Sequence, residues 1–327
     1  MNPFTKVLAF ACAVCTILWL QSPTDASAQD FPSRPIKIVV PYPAGDLADT
    51  ITRLLSNDMA KQLGQPVVVE NRPGASGLVG LQAAVQSEAD GYTLALAQMG
   101  SLAVAANVNQ WPFNPLEAFE PIAMAYTNYM MLVTTSGMPV KTLPELIAYA
   151  KKNPEGVRAA TNGAGGFPHL ALELLRKQAD FNFTHIPYRG SSQIMSDLLA
   201  GRVDVTIFGY TGLYPYVQDG RLKGIAVTGP QRAPNAPDIP AIGETVTGYE
   251  ALGWFGFFAP KGTPATIVDK LNAAVNRALA SPEIEDQARR QGLDRLPGTP
   301  ADLARILKAD YQKWGGIIRE LGLEGSK

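Results

Sequence analysis

At 327 residues, with a formal net charge of −1 and 17% charged residues, the chain offers no basic surface for nucleic acid and no polybasic patch for a membrane. Its length can bury an ordinary core and points to two domains rather than one.

Lys6 is followed by an apolar run from Val7 to Leu20 and, after polar residues, by Ala26-Ser27-Ala28. One positive charge, a hydrophobic stretch of roughly 7–15 residues and small residues at the −3 and −1 positions are the parts of a secretory signal peptide. The run is shorter than the roughly 20 apolar residues of a membrane span. Residues 1–28 are therefore expected to be removed after Ala28, and the protein to be exported to the periplasm. Cys12 and Cys15 are the chain's two cysteines and lie inside that segment. What remains can form no disulfide even in an oxidising compartment.

Ile36-Lys-Ile-Val-Val40 reads as a buried strand. Leu47 to Leu63 has helical apolar spacing with Gly64 as a stop signal. Val67–Val69 is a second strand, Leu78–Val85 a helix and Tyr92–Leu96 a third strand. After Pro121 the pattern resumes with strand 130–134, helix 143–151, helix 169–178, strand 183–186, helix 192–200, strand 203–208 and strand 222–227. Helical stretches 265–280, 283–291 and 301–321 close the chain. Strands alternating with helices predict parallel β-α units and an α/β fold.

In such folds ligands sit beyond the carboxyl ends of the strands, where loops enter helix N-termini. Five loops so placed are rich in Gly, Ser, Thr, Asn and Pro: 41–46, 71–77, 98–101, 161–166 and 188–192. Each exposes backbone N–H groups at the positive end of a helix, where a carboxylate is welcome. Any one of them is also ordinary turn and cap chemistry; five on one sheet edge point to a shared cleft.

Catalytic constellations are absent from the pattern. No G-x-S-x-G elbow precedes a helix and no phosphate loop of the G-x-x-x-x-G-K-[ST] type exists. The two histidines, His169 and His185, supply too few ligands for a transition-metal site, and a satisfied structural role is the expected fate of each. No metal or other cofactor is implied, and the residues read as a binder rather than an enzyme.

Together the loops resemble a known family. Phe31-Pro-Ser-Arg-Pro-Ile-Lys-Ile-Val-Val-Pro-Tyr-Pro-Ala-Gly45, Val67-Val-Val-Glu-Asn-Arg-Pro-Gly-Ala-Ser-Gly77 and Asp90-Gly-Tyr-Thr-Leu94 are similar to the Bug-type receptors, periplasmic solute-binding proteins of tripartite tricarboxylate transporters. The likeness continues through Pro187-Tyr-Arg-Gly190, Asp197-Leu-Leu-Ala-Gly-Arg-Val203 and Ala259-Pro-Lys-Gly-Thr-Pro264. It implies a hinged, two-domain α/β receptor of the Venus-flytrap type, with residues 29–127 plus 250–327 as a discontinuous first domain and 128–249 as the second. It further implies a monomer that closes on a small organic acid, an amino acid or a pyridine carboxylate or amide. The solute would pass to a membrane permease driven by an ion gradient.

By the same resemblance, the first-domain contacts are Tyr42, Ala44, Gly45 and Asp46, with Ser101 from the third loop. The second domain contributes Thr161, Asn162, Gly163, Ala164 and Gly165, with Tyr188, Phe208 and Tyr210 as walls. Arg72 and Arg189 are the nearby cations. One departure stands out. The family's first loop commonly runs Ala-Gly-Gly-x-x-Asp, and this chain has Ala44-Gly45-Asp46-Leu47-Ala48-Asp49. Asp46 either caps the following helix, where Asp is favoured, or accepts a hydrogen bond from an amine, amide or hydroxyl of the ligand. Other functions leave the same residues in place: a sensor that presents its solute to a membrane kinase, or a periplasmic hydrolase or isomerase, for which no activated nucleophile is visible.

Overall fold

The computed structural model describes residues 31–325 apart from Gln110; the expected signal peptide lies outside the described residues. Strand β1 (Ile36–Val40) is a β-branched run buried on both faces. It pairs in parallel with β2 (Val67–Asn71) and with β3 (Thr93–Gln98). Between β1 and β2 runs helix α1 (Leu47–Leu63), which turns Ile51, Leu55 and Met59 onto the sheet at four-residue spacing. Gly64 ends it in a left-handed conformation, its N–H donating to Ala60 O at 3.0 Å. Helix α2 (Leu78–Val85) returns the chain to β3.

Beyond β3 the chain forms β4 (Phe119–Asn128) and, after Tyr129 alone, β5 (Met130–Thr135) in a different sheet. Helix α3 (Leu143–Lys152), β6 (Arg158–Thr161), α4 (Phe167–Ala179), β7 (Thr184–Pro187), α5 (Ser191–Leu199), β8 (Val205–Gly209), α6 (Tyr210–Gln218) and β9 (Leu222–Val227) follow. The chain then re-enters the first sheet with β10 (Gly253–Pro260) and ends with α7 (Ala265–Leu279), α8 (Pro282–Arg290), β11 (Leu293–Arg295) and α9 (Pro300–Glu320). The first sheet has the order β11-β4-β10-β3-β1-β2, and the second β7-β6-β8-β5-β9.

The expected parallel β-α units are present in both sheets, β1 with β2 and β3 and β6 with β7 and β8, but neither sheet is purely parallel. β10 runs antiparallel to both β3 and β4, and β5 antiparallel to both β8 and β9. The reason is the path between sheets, since the strands that leave the first sheet and return to it need no crossover helix. The two crossings lie side by side. Met130 N–H donates to Thr228 Oγ1 at 3.0 Å, Ala251 N–H to Thr228 O at 2.9 Å, and Thr127 Oγ1 to Gly253 O at 2.9 Å.

β4 and β10 are the strands that sequence pattern conceals. All eight residues of β10 are buried, with Trp254 and Phe258 in one core and Phe255 and Phe257 in another. A strand covered on both faces shows no polar alternation. In β4, Pro121 stands opposite Phe258 where the register shifts, an irregularity that accommodates a residue lacking an N–H.

The two lobes share an apolar core that joins Ala95 of β3, Leu132 of β5, Ala159 of β6 and Trp314 of α9. Helix α9 lies against α4: the rings of Phe167 and Trp314 meet edge to face at 5.4 Å, and Lys177 pairs with Glu320 at 2.7 Å.

Candidate functional site: loops at the strand ends of two lobes

Three loops of the first lobe converge on a cavity of about 400 Å³, lined by residues 41–43, 73–77, 98, 100 and 101. None of the lining side chains is charged. Its polar groups are the Tyr42 hydroxyl, the Gln98 amide and the hydroxyls of Ser76 and Ser101. Tyr42 and Ser101, both expected from sequence, share a short hydrogen bond between their hydroxyls. Burial pushes the Tyr42 phenol well above its ordinary range, against the opposing pull of bonds with Ser101 and Gln98. Tyr42 is therefore neutral and able to donate or accept. The second loop, quoted from the sequence but not nominated as a contact, forms one wall. Four consecutive residues there have positive φ: Gly74 (136°), Ala75 (47°), Ser76 (56°) and Gly77 (99°). Ala75 and Ser76 hold a backbone that residues with a Cβ adopt at a cost of order 1 kcal/mol or more.

The first loop is built around a carboxylate that sequence reading left unassigned. Asp49 is 3% exposed. It accepts from Gly45 N–H at 2.8 Å, Arg53 Nε at 3.0 Å and Asn71 Nδ2 at 2.9 Å. Asn71 Nδ2 also reaches Tyr42 O at 3.2 Å, so this one group ties the β1–α1 loop to the end of β2. The signal was present in the spacing, because Asp49 and Arg53 are four residues apart on one helix face.

Of the two roles open to Asp46, the structure shows the cap: Oδ1 accepts from Asp49 N–H at 2.9 Å, with extended backbone at the N-cap position. Ala44 and Gly45 lie in the same turn but outside the cavity lining. Replacing Asp46 by Gly, which restores the family's usual loop, is expected to cost only a few tenths of a kcal/mol in thermal or denaturant unfolding. The ranking of ligands measured by calorimetry should be unaltered by it.

The second lobe contributes the turn from β6 into α4. Thr161 is fully buried at the end of β6, and its Oγ1 donates to Gly163 O at 3.1 Å. Gly163 and Gly165 both have positive φ, 79° and 75°. The N–H groups of Gly163 and Gly165 are committed inside the loop, to Thr161 O at 2.9 Å and to His169 Nδ1 at 3.1 Å. Those of Asn162 and Ala164 have no acceptor among the described residues, and both residues are exposed. Gly165 packs near Val108 and Leu323 of the first lobe. The helical segment that begins at Gly100 and ends at Val108 therefore runs from the cavity to this loop, and Ser101 and Val108 are about 10 Å apart along it.

The wall residues are differently placed. Tyr188 donates its hydroxyl to Asp197 Oδ2 at 2.6 Å, and Tyr210, in the first turn of α6, donates to Asn235 O at 2.6 Å. Phe208 is half-buried in β8. None of these three lines the first-lobe cavity. Arg72 is paired with Glu70, and Arg189 is exposed.

The profile of the tripartite tricarboxylate transporter family receptor matches residues 51–323. The chain belongs to this receptor family. It is 35% identical to the protein BugT of Bordetella pertussis over 301 residues, 90% of this chain and 92% of that one. A TctC solute binding protein from Polaromonas superposes with a TM-score of 0.82 at 29% identity, covering 89% of this chain and 99% of its own. The structure of R. palustris Rpa4515 with adipate superposes at 0.73 with 31% identity, covering 90% and 99%.

The receptor therefore has the two-lobed solute-binding fold that the loop motifs implied. As members of a solute-binding family, its residues are to be read for recognition rather than turnover. What sequence reading missed in this receptor is mostly support: Asp49, Asn71 and the partners of His169 and His185. Gln98 and Ser76 were in the quoted loops and are distinguished only by lining the cavity.

Proposed function

We propose that the receptor captures a small organic carboxylate, or a related amide or amino acid, between its two lobes. The first lobe would comprise residues 29–127 plus 250–327 and the second 128–249, with the paired crossings at Tyr129 and Thr228 as the hinge. The solute's carboxylate is received by the Asn162 and Ala164 N–H groups at the start of α4. Its other end enters the uncharged cavity beside Tyr42, Gln98 and Ser101. The observation that carries this reading is the segment 100–108, which links that cavity to the 161–166 loop over about 10 Å, the span of a short organic acid. The adipate held by the R. palustris relative is a ligand of this class. After export through a cleavable signal peptide, the protein would act in the periplasm as a monomer without cofactor. It would deliver its solute to an ion-gradient-driven permease of the tripartite tricarboxylate type.

Gly163→Val tests the cradle. A β-branched residue is strained at φ 79°, and it would crowd the approach to the neighbouring N–H groups. Calorimetry should show binding weakened at least about tenfold, or roughly 1.4 kcal/mol, in a protein that still folds. Wild-type affinity in this variant would place the carboxylate elsewhere.

A further inference from the structure

Both histidines of the chain lie directly beneath the 161–166 loop. Their rings stack with centroids 3.9 Å apart and planes inclined by 16°. His169, buried in the first turn of α4, accepts from Gly165 N–H at Nδ1, 3.1 Å away. A nitrogen that receives an N–H presents its lone pair, so the proton of the neutral ring sits on Nε2. That Nε2 faces Glu173 Oε1 at 3.6 Å. His185, on β7, meets Thr161 Oγ1 through its Nε2 at 2.6 Å. Thr161 spends its single hydroxyl proton on Gly163 O, so His185 Nε2 is the donor in that contact. Each histidine thus fixes one glycine of the loop, His169 directly and His185 through Thr161.

We propose that His169 and His185 are positioning residues for the 161–166 loop, and that protonation of His169 at Nδ1 releases Gly165 and loosens the loop. The physical reason is a reversal of polarity: an imidazolium has two donors and no acceptor, so a protonated Nδ1 would confront the Gly165 N–H donor to donor. The charged group facing the pair is Glu173, bonded by Arg176 Nε at 2.7 Å. Burial would raise the Glu173 carboxyl, but the neighbouring His169 and the bond from Arg176 more than offset that and hold it low. On the other face His185 stays neutral, because burial first and the neighbouring His169 second depress it to about 4, against the pull of Glu173. The consequence for solute binding rests on the reading of this loop as the carboxylate cradle; the geometry of the histidines does not.

Nuclear magnetic resonance of tag-free, 15N-labelled protein between pH 8 and pH 4 tests the device without any ligand. His169 should show the Nε2–H tautomer at pH 8, and the Gly165 amide should shift with the same midpoint as the His169 ring. His185→Gln should preserve that linkage, and His169→Gln should abolish it. An Nδ1–H tautomer, a Gly165 amide indifferent to the His169 titration, or a ring that stays neutral until acid unfolding would overturn the proposal. Calorimetry with adipate as probe carries it to binding. Wild-type affinity should fall as the His169 ring gains its proton, by up to about fivefold, roughly the loss of one hydrogen bond. In His169→Gln, which also reports the probe's own titration, the change should be under about twofold. Equal pH dependence in the two proteins would sink the link to binding. If adipate binds at no pH, the ligand class under Proposed function fails, and the resonance result alone decides the role of the histidines.

Discussion

Asp49→Ala should destabilise the protein by about 3 kcal/mol and lower its melting temperature by roughly 5 °C. The substitution strips the acceptor from Gly45 N–H, Arg53 and Asn71 at a site with little access for replacement water. Hydrogen bonds to a charged group are worth about 1.5–3 kcal/mol each and do not add fully. Asp49→Asn, which keeps an acceptor and loses the charge, should cost about half as much. The effect has a pH signature. Burial would push the Asp49 carboxyl up, but the bonds from Arg53, Gly45 and Asn71 outweigh it and hold the group below the ordinary carboxylate range. A carboxyl lowered in the folded state contributes stability fully above its unfolded value of about 3.9 and loses it as pH falls through the folded value. Denaturant unfolding should therefore show the wild-type advantage over Asp49→Ala intact at pH 7 and shrinking below about pH 4. An advantage that holds constant to pH 3 would mean that the charge contributes nothing.

Gly80→Val should be the more damaging change for the cavity. Gly80 is in helix α2 where it crosses the ends of two site loops. A Cβ there would stand 2.8 Å from Arg72 O and 2.9 Å from Pro41 Cα. Those neighbours are backbone and cannot rotate away, so the helix must lift off β1. Overpacking typically costs 1–3 kcal/mol, and a branched side chain against two backbone segments should reach the upper end of that range or exceed it. Gly80→Ala should cost less, about 1–2 kcal/mol, because Ala regains up to about 1 kcal/mol of helix propensity. Both changes should weaken ligand binding, since Pro41 and Arg72 flank the two loops that wall the cavity. A Gly80→Val protein with wild-type melting temperature would show that the contact is looser than the structure has it.

These sites illustrate what a sequence carries openly. β1, α1, α2 and β9 were legible because apolar period and punctuation agree there: β-branched residues in Ile36–Val40, four-residue apolar steps in α1, Gly64 after its last turn. β4 and β10 were not legible, because a doubly covered strand has no period-2 signal and Pro121 and Gly256 read as breaks. The helix α6 that Tyr210 opens was not read from the sequence, since Gly209 before it and Pro215 within it both mimic turn signals. At the site, Tyr42 and Ser101 were found through the loops that bear them. Asp49 and Asn71, 22 residues apart, and Thr161 and His185, 24 residues apart, meet only through the sheet register. No local pattern encodes that choice of partner.

The most direct measurement of solute capture is a thermal-shift panel of tag-free protein against dicarboxylates, their half-amides, amino acids and pyridine carboxylates. A ligand at 100 times its dissociation constant stabilises the folded state by about 2.7 kcal/mol, or roughly 4–5 °C for a chain of this size. At least one small carboxylate or amide is expected to produce that shift in the wild type and to produce much less in Gly163→Val. A flat response across the whole panel, or an equal shift in the two proteins, would contradict capture of such a solute at the 161–166 loop.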